Sequence, residues 1–144
     1  MYQHSLKYRV LYADTDQMGF VYHGNYPKLY EAGRNEAIRM LGLSYKEIEA
    51  IGIWMPVTTM EFKLLRPAFY DEMLTIITSI EQFPDTKLNF YTKIYNEEDK
   101  LLNAGKISLA FVDASTRKTV EAPEIRSEEH TSELQSRQYL VCRL

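Results

Sequence analysis

The stretch NYPKLYEAGRNEAIRMLG, residues 25–42, decides the fold because it predicts the long helix around which the rest of the chain is built. Asn25 is a favourable N-cap, Pro27 suits the first helical turn and Gly42 suits the end. Between these residues, small and apolar side chains recur at steps of three and four, which is typical of an amphipathic helix. These positions are Tyr26, Leu29, Tyr30, Gly33, Ala37, Met40 and Leu41. A helix from Tyr26 to Leu41 is about 24 Å long.

The segments on both sides of this helix predict a sheet. Residues 5–13, SLKYRVLYA, alternate in the manner of a strand. After the helix, Ser44 and Glu47 form a capping-box pattern that opens a short second helix, which ends at Gly52. Four runs rich in β-branched and aromatic residues follow. They cover residues 57–65, 73–83, 87–96 and 101–113. A strand, a long helix and then four or five strands in a meander predict an α+β fold, with one antiparallel sheet wrapped around the central helix.

The composition excludes several classes of protein. The chain has 144 residues, enough for one domain, and a formal charge of only -3 with scattered Lys and Arg, so nucleic acid is not an expected partner. The N-terminal residues contain no apolar run long enough for a signal peptide or a transmembrane segment, so a cytoplasmic location is expected. Cys142 is the one cysteine, which excludes a disulfide framework within the chain.

The C-terminal segment RSEEHTSELQSRQYLVCRL, residues 126–144, differs from the rest of the chain. It lacks strand or helix periodicity, and its codons can be written as a common sequencing-adapter oligonucleotide in a single reading frame. We therefore interpret residues 126–144 as a non-native, artefactual tail, and residues 1–125 as the evolved domain. Cys142, which lies in this tail, is given no functional weight.

The loop ADTDQMGFVYHGN, residues 13–25, carries the candidate chemical groups. Its D-x-D-x-x-G pattern superficially matches a calcium-binding EF-hand, but Met18 and Asn25 stand where that loop requires ligands, so calcium is not expected. Asp14, Asp16 and His23 offer ligands for another divalent ion, but no fourth ligand stands at a recognised spacing, so no metal site is predicted. Asp14 is expected to end the strand through hydrogen bonds to the backbone. For Asp16, a turn role and a catalytic role are both open on the local pattern.

His23 stands two residues before the predicted N-cap, where the helix leaves backbone N–H groups unpaired and favours negative charge. A carbonyl oxygen placed there would be polarised, and the oxyanion of an acyl-transfer transition state would be stabilised. An aspartate of the same loop would then act as nucleophile or as general base towards water.

These residues resemble a known family, the hotdog-fold acyl-CoA thioesterases, and within it the 4-hydroxybenzoyl-CoA thioesterase and YbgC-like branch. The pattern D-x-D-x-x-G-x-V-x-H-x-x-Y-x-x-x-x-E-x-x-R is matched at every fixed position. The matching residues are Asp14, Asp16, Gly19, Val21, His23, Tyr26, Glu31 and Arg34. The resemblance covers nearly all of residues 4–125 and implies a hotdog fold.

The resemblance also implies a reaction and a set of catalytic groups. Asp16 would be the catalytic carboxylate, the backbone N–H of His23 would point at the thioester carbonyl with the His23 side chain assisting, and Tyr12 would contribute. The substrate would be a short-chain, medium-chain or aromatic acyl thioester of coenzyme A, or of acyl carrier protein. No metal or organic cofactor is implied, since coenzyme A is part of the substrate. Glu31 is expected to be structural, pairing with Arg34 or with a backbone group.

The resemblance leaves the binding residues and the assembly less defined. Tyr26 and Tyr30 either line an acyl pocket or belong to the core. Lys63, Arg66 and Lys106 are candidates for binding the phosphates of coenzyme A. Relatives form a homodimer with active sites at its interface, and often a homotetramer of two dimers. The alternative function is a non-catalytic hotdog module that binds acyl-CoA or acyl carrier protein.

Overall fold

The computed structural model describes residues 1–123, which form a five-stranded antiparallel sheet with one long helix packed against it. The strands of this sheet and the helices lie at the following positions: β1 Tyr2–Arg9, α1 Tyr26–Met40, α2 Tyr45–Ala50, β3 Val57–Leu64, β4 Met73–Ile80, β5 Lys87–Tyr95 and β6 Leu101–Ala110. Two short strands, β2 Ile53–Trp54 and β7 Val112–Asp113, pair with each other. The predicted tail, residues 126–144, lies outside the described residues.

The order of strands across the large sheet is β1-β4-β5-β6-β3. The predicted meander is therefore correct for β4, β5 and β6 but wrong for β3, which pairs with β6 at the far edge. The link between β3 and β4 explains the difference. It starts beside β6, where the N–H groups of Leu65 and Arg66 both donate to the Leu102 carbonyl, and ends beside β1, where the Asp71 N–H donates to the Val10 carbonyl. A strand followed by such a crossing cannot pair with the next strand in sequence.

The helix α1 agrees with the prediction from residues 25–42. Its buried side chains include Leu29, Tyr30 and Ile38, which pack on the inner face of the sheet. Gly33 permits the close approach: a Cβ atom at this position would lie 2.7 Å from Thr78 Oγ1 and 2.8 Å from Ile76 Cγ2, both on β4. Each fully buried Leu or Ile contributes about 1.5–3 kcal/mol to stability, so this helix supplies much of the core.

The two helix starts differ in their chemistry. At α2 the predicted capping box is confirmed, because Glu47 N–H donates to Ser44 Oγ at 3.3 Å and Ser44 N–H donates to a Glu47 carboxylate oxygen at 3.1 Å. At α1 the cap position is Asn25, as predicted, but its side chain does not cap the helix. Asn25 Nδ2 instead donates to the Asp14 carbonyl at 2.8 Å, which ties the helix start to the preceding loop.

The first strand is shorter at its C-terminal end than predicted, since β1 ends at Arg9 and residues Tyr12–Asp14 form a 3-10 turn. The bend arises because Asp14 Oδ2 accepts the Leu11 N–H at 2.9 Å, which turns the chain out of the sheet. After this turn, the chain continues through the loop to the start of α1. Among the helices of residues 1–123, none combines the length and the apolar character that crossing a membrane requires.

Candidate active site

The buried carboxylate of Asp14 joins three parts of the chain. Oδ2 accepts hydrogen bonds from the Tyr8 hydroxyl at 2.6 Å and from the Leu11 N–H at 2.9 Å, while Oδ1 pairs with Lys28 Nζ at 2.6 Å. Its carbonyl oxygen accepts the Tyr22 N–H at 3.0 Å. Strand β1, the loop and the first turn of α1 are thereby fastened to one residue, which confirms the structural role predicted for Asp14.

The ionisation of Asp14 reflects these contacts. Burial opposes the charged form, but the Lys28 ammonium, the Tyr8 hydroxyl and the Leu11 N–H together hold the pKa of Asp14 below its ordinary value. Burial and the neighbouring Asp14 carboxylate raise the pKa of Tyr8 to about 12, so its hydroxyl remains a donor. The network is therefore fully formed at neutral pH.

Asp16 occupies a tight turn that leaves one side of its carboxylate available. The Gly19 N–H donates to the Asp16 carbonyl at 3.0 Å, and Gly19 has a φ of 86°, which glycine adopts readily. Asp16 Oδ1 accepts the Met18 N–H at 2.9 Å, an Asx-turn contact that orients the side chain. No donor from residues 1–123 bonds to Oδ2 of Asp16. The turn role and a chemical role are thus compatible, because each uses a different oxygen.

The start of α1 presents backbone N–H groups near this carboxylate. Residues His23–Asn25 form a 3-10 turn that leads into the helix, and the Tyr26 N–H donates to the His23 carbonyl. None of the backbone hydrogen bonds within residues 1–123 uses the N–H groups of His23 or Gly24. The His23 side chain is exposed, with its ring centroid 4.5 Å from that of Tyr22.

A cavity of about 320 Å³ brings the two groups together. Asp16 and His23 contribute to its lining, and most of the remaining wall is apolar or aromatic. The full lining is Asp16, Met18, Phe20, Val21, His23, Tyr26, Leu64, Leu65, Arg66 and Pro67. The cavity therefore combines a carboxylate, a helix start and one arginine with an apolar wall.

Of the other predicted site residues, Tyr26 and Arg66 line this cavity, while Tyr12, Tyr30 and Lys63 do not. Tyr12 is 80% exposed and stacks edge-on against Tyr70. Tyr30 belongs to the core, where its hydroxyl donates to Asn103 Oδ1 at 2.8 Å. Lys63 is exposed on β3.

The structure also bears on the predictions for Lys106 and for the pairing of Glu31 with Arg34. Lys106 lies over the Tyr91 ring at 5.7 Å from its centroid, so its ammonium is directed to the outer face of the sheet. No ion pair joins Glu31 to Arg34 in the described chain, so the predicted pairing of these two side chains is wrong. Glu31 is exposed whereas Arg34 is buried, which places the two charges at different depths. Among residues 1–123, no three His, Cys, Asp or Glu side chains are grouped in a way that could hold a metal ion.

Sequence reasoning missed the partners that hold the loop. Tyr8 and Lys28 bond to Asp14 across six and fourteen residues, so no short motif contains the set. The alternation of β1 and the helical position of Lys28 place them on facing elements, but only the folded chain shows that they meet. The wall formed by Leu64, Leu65 and Pro67 was also missed, because it depends on the crossing after β3.

Comparison with known proteins identifies the class to which this fold and cavity belong. The family model for the Thioesterase-like superfamily matches residues 10–133. The chain therefore belongs to the thioesterase-like superfamily, and the predicted hotdog fold and enzyme class, thioester hydrolases, are confirmed at the level of the family. The match extends into residues 126–133, and the interpretation of residues 126–144 as a non-native tail stays a prediction.

The chain is also similar to individual thioesterases. The chain is 35% identical over 116 residues to the acyl-CoA thioester hydrolase YbgC of Escherichia coli, covering 81% of this chain and 87% of that protein. It is 27% identical over 121 residues to the acyl-CoA thioesterase YbgC of Haemophilus influenzae, covering 83% and 88%. Among solved structures, the DHNA-CoA thioesterase of Staphylococcus aureus matches with a TM-score of 0.79 and 32% identity, covering 83% of this chain and 80% of that one.

The Asp14–Lys28 ion pair generates a prediction about stability and pH. We expect Lys28→Met to lower the free energy of unfolding at pH 7 by about 1–3 kcal/mol, because the buried carboxylate loses a charged partner. Since the folded pKa of Asp14 is depressed, the ionised carboxylate stabilises the fold above its ordinary pKa, and this stabilisation is lost as the pH falls through the folded value. The deficit of the variant should therefore shrink in acid. Urea unfolding at a series of pH values measures it.

The matched control for this experiment is Lys46→Met, which removes an exposed lysine of α2 that makes no ion pair within residues 1–123. Its stability should follow the wild type at every pH. An equal deficit in both variants, or a Lys28→Met deficit that does not change between neutral and acid pH, would contradict the assigned role of the ion pair.

Proposed function

We propose that the chain hydrolyses acyl-CoA thioesters in the cavity at the start of α1. The observation that carries this proposal is that Asp16 and His23 line the same largely apolar cavity, and that within residues 1–123 one Asp16 carboxylate oxygen and the His23 backbone N–H have no hydrogen-bond partner. Hydrolysis of a thioester needs a group that attacks or activates water and a donor that stabilises the developing oxyanion. Asp16 and the start of α1 are suited to these two roles. The activities named for the YbgC relatives point to the same reaction.

The proposed reaction uses the chain, its substrate and one water molecule. The thioester carbonyl oxygen accepts the His23 N–H, which polarises the carbonyl carbon. Asp16 either attacks that carbon, forming an anhydride that water then hydrolyses, or removes a proton from a water molecule that attacks it. The carbon–sulfur bond breaks and the sulfur leaves as a thiolate, which takes up a proton. The products are a carboxylic acid and free coenzyme A.

The cavity wall supports an apolar acyl group of short or medium length, or an aromatic one. Phe20, Leu64 and Leu65 supply apolar surface, and Tyr26 adds an aromatic ring. Burial raises the pKa of the Tyr26 hydroxyl, so this group remains neutral. Arg66 is exposed at the cavity and is the best placed of the predicted cations for the phosphates of coenzyme A. Thioesters of acyl carrier protein carry the same reacting group and are included in the proposal.

We further propose that the working unit is a homodimer joined along β3, with a tetramer of two such dimers as the larger assembly. Strand β3 is an edge of the sheet, so one of its sides has no hydrogen-bonding neighbour within residues 1–123. Met60 and Leu64, which share a face with Phe62, are 50% and 51% exposed. A second copy on this edge would cover them and lie next to the cavity, because Leu64 also lines the cavity.

The first test is replacement of the proposed catalytic carboxylate. We expect Asp16→Asn to lower kcat by at least about 100-fold, because the amide keeps the size of the side chain but neither attacks nor accepts a proton well. The measurement is release of free thiol from a panel of short-chain, medium-chain and aromatic acyl-CoAs. The matched control is Asp71→Asn, the same change at an exposed aspartate outside the cavity, which should retain full activity.

Two outcomes of that assay would contradict the proposal. If the wild type cleaves none of the thioesters yet binds them saturably, the chain is a non-catalytic acyl-CoA binding module. If Asp16→Asn retains the wild-type rate, the carboxylate has no part in the reaction.

The second test concerns the β3 edge. We expect Met60→Lys to shift the chain towards a monomer, because the new ammonium would have to be buried against the partner. Sedimentation velocity measures the mass. Met40→Lys, at an exposed methionine on the last turn of α1, is the matched control and should leave the mass unchanged. A wild type that sediments as a monomer, or a Met60→Lys chain that keeps the wild-type mass, would refute association through this edge.

A further inference from the structure

A second cavity, of about 310 Å³, lies between α1 and α2 and is separate in its lining from the one that contains Asp16. Residues of both helices, of the segment 53–57 and of β6 contribute to it. The full lining is Glu31, Arg34, Asn35, Tyr45, Ile48, Glu49, Ile53, Met55, Val57 and Leu109. Polar and charged groups supply more of the surface of this cavity than apolar groups do, so it suits a ligand that carries a polar or charged group.

The buried arginine is the unusual feature of this cavity. Arg34 is only 8% exposed, and its Nε and Nη1 atoms have no hydrogen-bond partner within residues 1–123. A guanidinium stays charged in a protein, so burying it with unpaired donors is costly. Its planar arrangement of N–H groups matches the two oxygens of a carboxylate. Nε and Nη1 of Arg34 therefore lack an acceptor within residues 1–123, and an oxygen of a bound anion would supply one.

Two neighbouring polar groups are in the same condition. The Tyr45 hydroxyl is buried without a hydrogen-bond partner, and so is Asn35 Oδ1. Burial raises the pKa of Tyr45 to about 12, while the Arg34 guanidinium acts in the opposite direction through its charge and a close side-chain contact, so the hydroxyl keeps its proton at neutral pH. Arg34 and Tyr45 together offer donors to one anionic group, and Asn35 offers an acceptor to a hydroxyl or a water molecule beside it.

We propose that this cavity binds a carboxylate carried on a short apolar chain or ring, with Arg34 and Tyr45 holding the carboxylate. The apolar side chains of Ile48, Met55 and Leu109 then enclose the hydrocarbon part. The small volume of the cavity and the depth of Arg34 favour a small molecule over the side chain of a second protein.

Two carboxylates of the chain also face the cavity and limit what it admits. Glu31 and Glu49 are exposed, so their charges are largely screened by solvent, whereas the Arg34 guanidinium is buried. An anion at the mouth of the cavity is repelled by Glu31 and Glu49, whereas an anion that reaches Arg34 is attracted by its guanidinium. The ligand must therefore be slender enough to place its carboxylate at the bottom of the cavity.

The carboxylate has two chemical sources. It is either a free carboxylic acid or the far end of an acyl group that carries a second carboxylate, and the latter case rests on the proposed thioesterase function. If two copies pair through antiparallel β3 strands, the Val57 end of one strand faces the Leu64 end of the other. Val57 lines the Arg34 cavity and Leu64 lines the Asp16 cavity, so the two cavities of different copies become neighbours.

The first arm of the test measures binding to the full chain by titration calorimetry. Hexanoate is the probe, with hexan-1-ol and hexylammonium as matched molecules without the carboxylate. We expect hexanoate to bind at least about tenfold more tightly than either, and Arg34→Met to remove this preference. Arg34→Lys, which keeps the charge without the planar N–H groups, should fall between them. Arg39→Leu, at an exposed arginine on the same helix, should bind like the wild type.

Arg34→Met is expected to fold, since replacing a buried unpaired charge by an apolar side chain of similar length is neutral or stabilising. Thermal unfolding checks this directly. Hexanoate that binds no more tightly than hexan-1-ol, or that binds Arg34→Met as it binds the wild type, overturns the proposal. A lower oligomeric mass of Arg34→Met without hexanoate binding to the wild type also overturns it, and assigns Arg34 to a contact between copies.

The second arm distinguishes the sources by turnover of glutaryl-CoA and valeryl-CoA, whose acyl chains have the same length. If the acyl group supplies the carboxylate, glutaryl-CoA is preferred and Arg34→Met lowers its kcat/KM by about tenfold or more while valeryl-CoA is cleaved as before. If hexanoate binding depends on Arg34 but the two thioesters respond alike, the ligand is a free acid. If the wild type cleaves neither thioester, the acyl group is excluded as the source of the carboxylate, and the hexanoate arm, which does not depend on turnover, still decides whether the cavity binds a carboxylate. The acyl-CoA panel described above decides the thioesterase proposal separately.

Discussion

The structure depends on the burial of one charged group, the Asp14 carboxylate, at the junction of β1, the following loop and α1. Tyr8, Leu11 and Lys28 bond to its two oxygens, and its carbonyl accepts from the backbone of Tyr22. Because a buried carboxylate is costly without partners, each of these contacts helps to keep Asp14 ionised inside the fold. The result is a loop with fixed ends, in which a turn and a helix start are held in a constant relation.

The functional consequences follow from that fixed relation. Between the anchored ends, Asp16 and His23 line a single cavity, and the proposed reaction uses the carboxylate of one and the backbone N–H of the other. A site that needs these two groups a few ångströms apart gains from rigid support, since catalysis by positioned groups is sensitive to small displacements. Helix α1 contributes to the two cavities discussed above: Tyr26, in its first turn, lines the cavity with Asp16, and Arg34, in its middle, lines the other.

Local patterns predicted the parts of the fold that depend on neighbouring residues. The spacing within residues 25–42 identified α1, and Ser44 with Glu47 identified the start of α2, because helices and caps are formed by contacts three or four residues apart. The position of β3 was not predictable in this way, since it depends on a crossing link. The same limit explains Glu31 and Arg34, whose spacing predicts an ion pair, although Arg34 is buried and Glu31 is exposed. The family pattern pointed to Asp16 and His23, whose catalytic roles stay predictions, whereas no pattern pointed to Lys28 and Tyr8, which bond to Asp14.

In the proposed reaction, the thioester carbonyl binds between Asp16 and the start of α1. A crystal structure with an acyl-CoA analogue, in which a methylene group replaces the sulfur, tests it most directly because the ketone cannot be cleaved. We expect the ketone oxygen to lie about 3 Å from the backbone nitrogen of His23. The Asp16 carboxylate should face the carbonyl carbon, directly or through one water molecule. A ketone bound outside the cavity, or an oxygen that accepts its hydrogen bonds from other groups while Asp16 faces away, would contradict it.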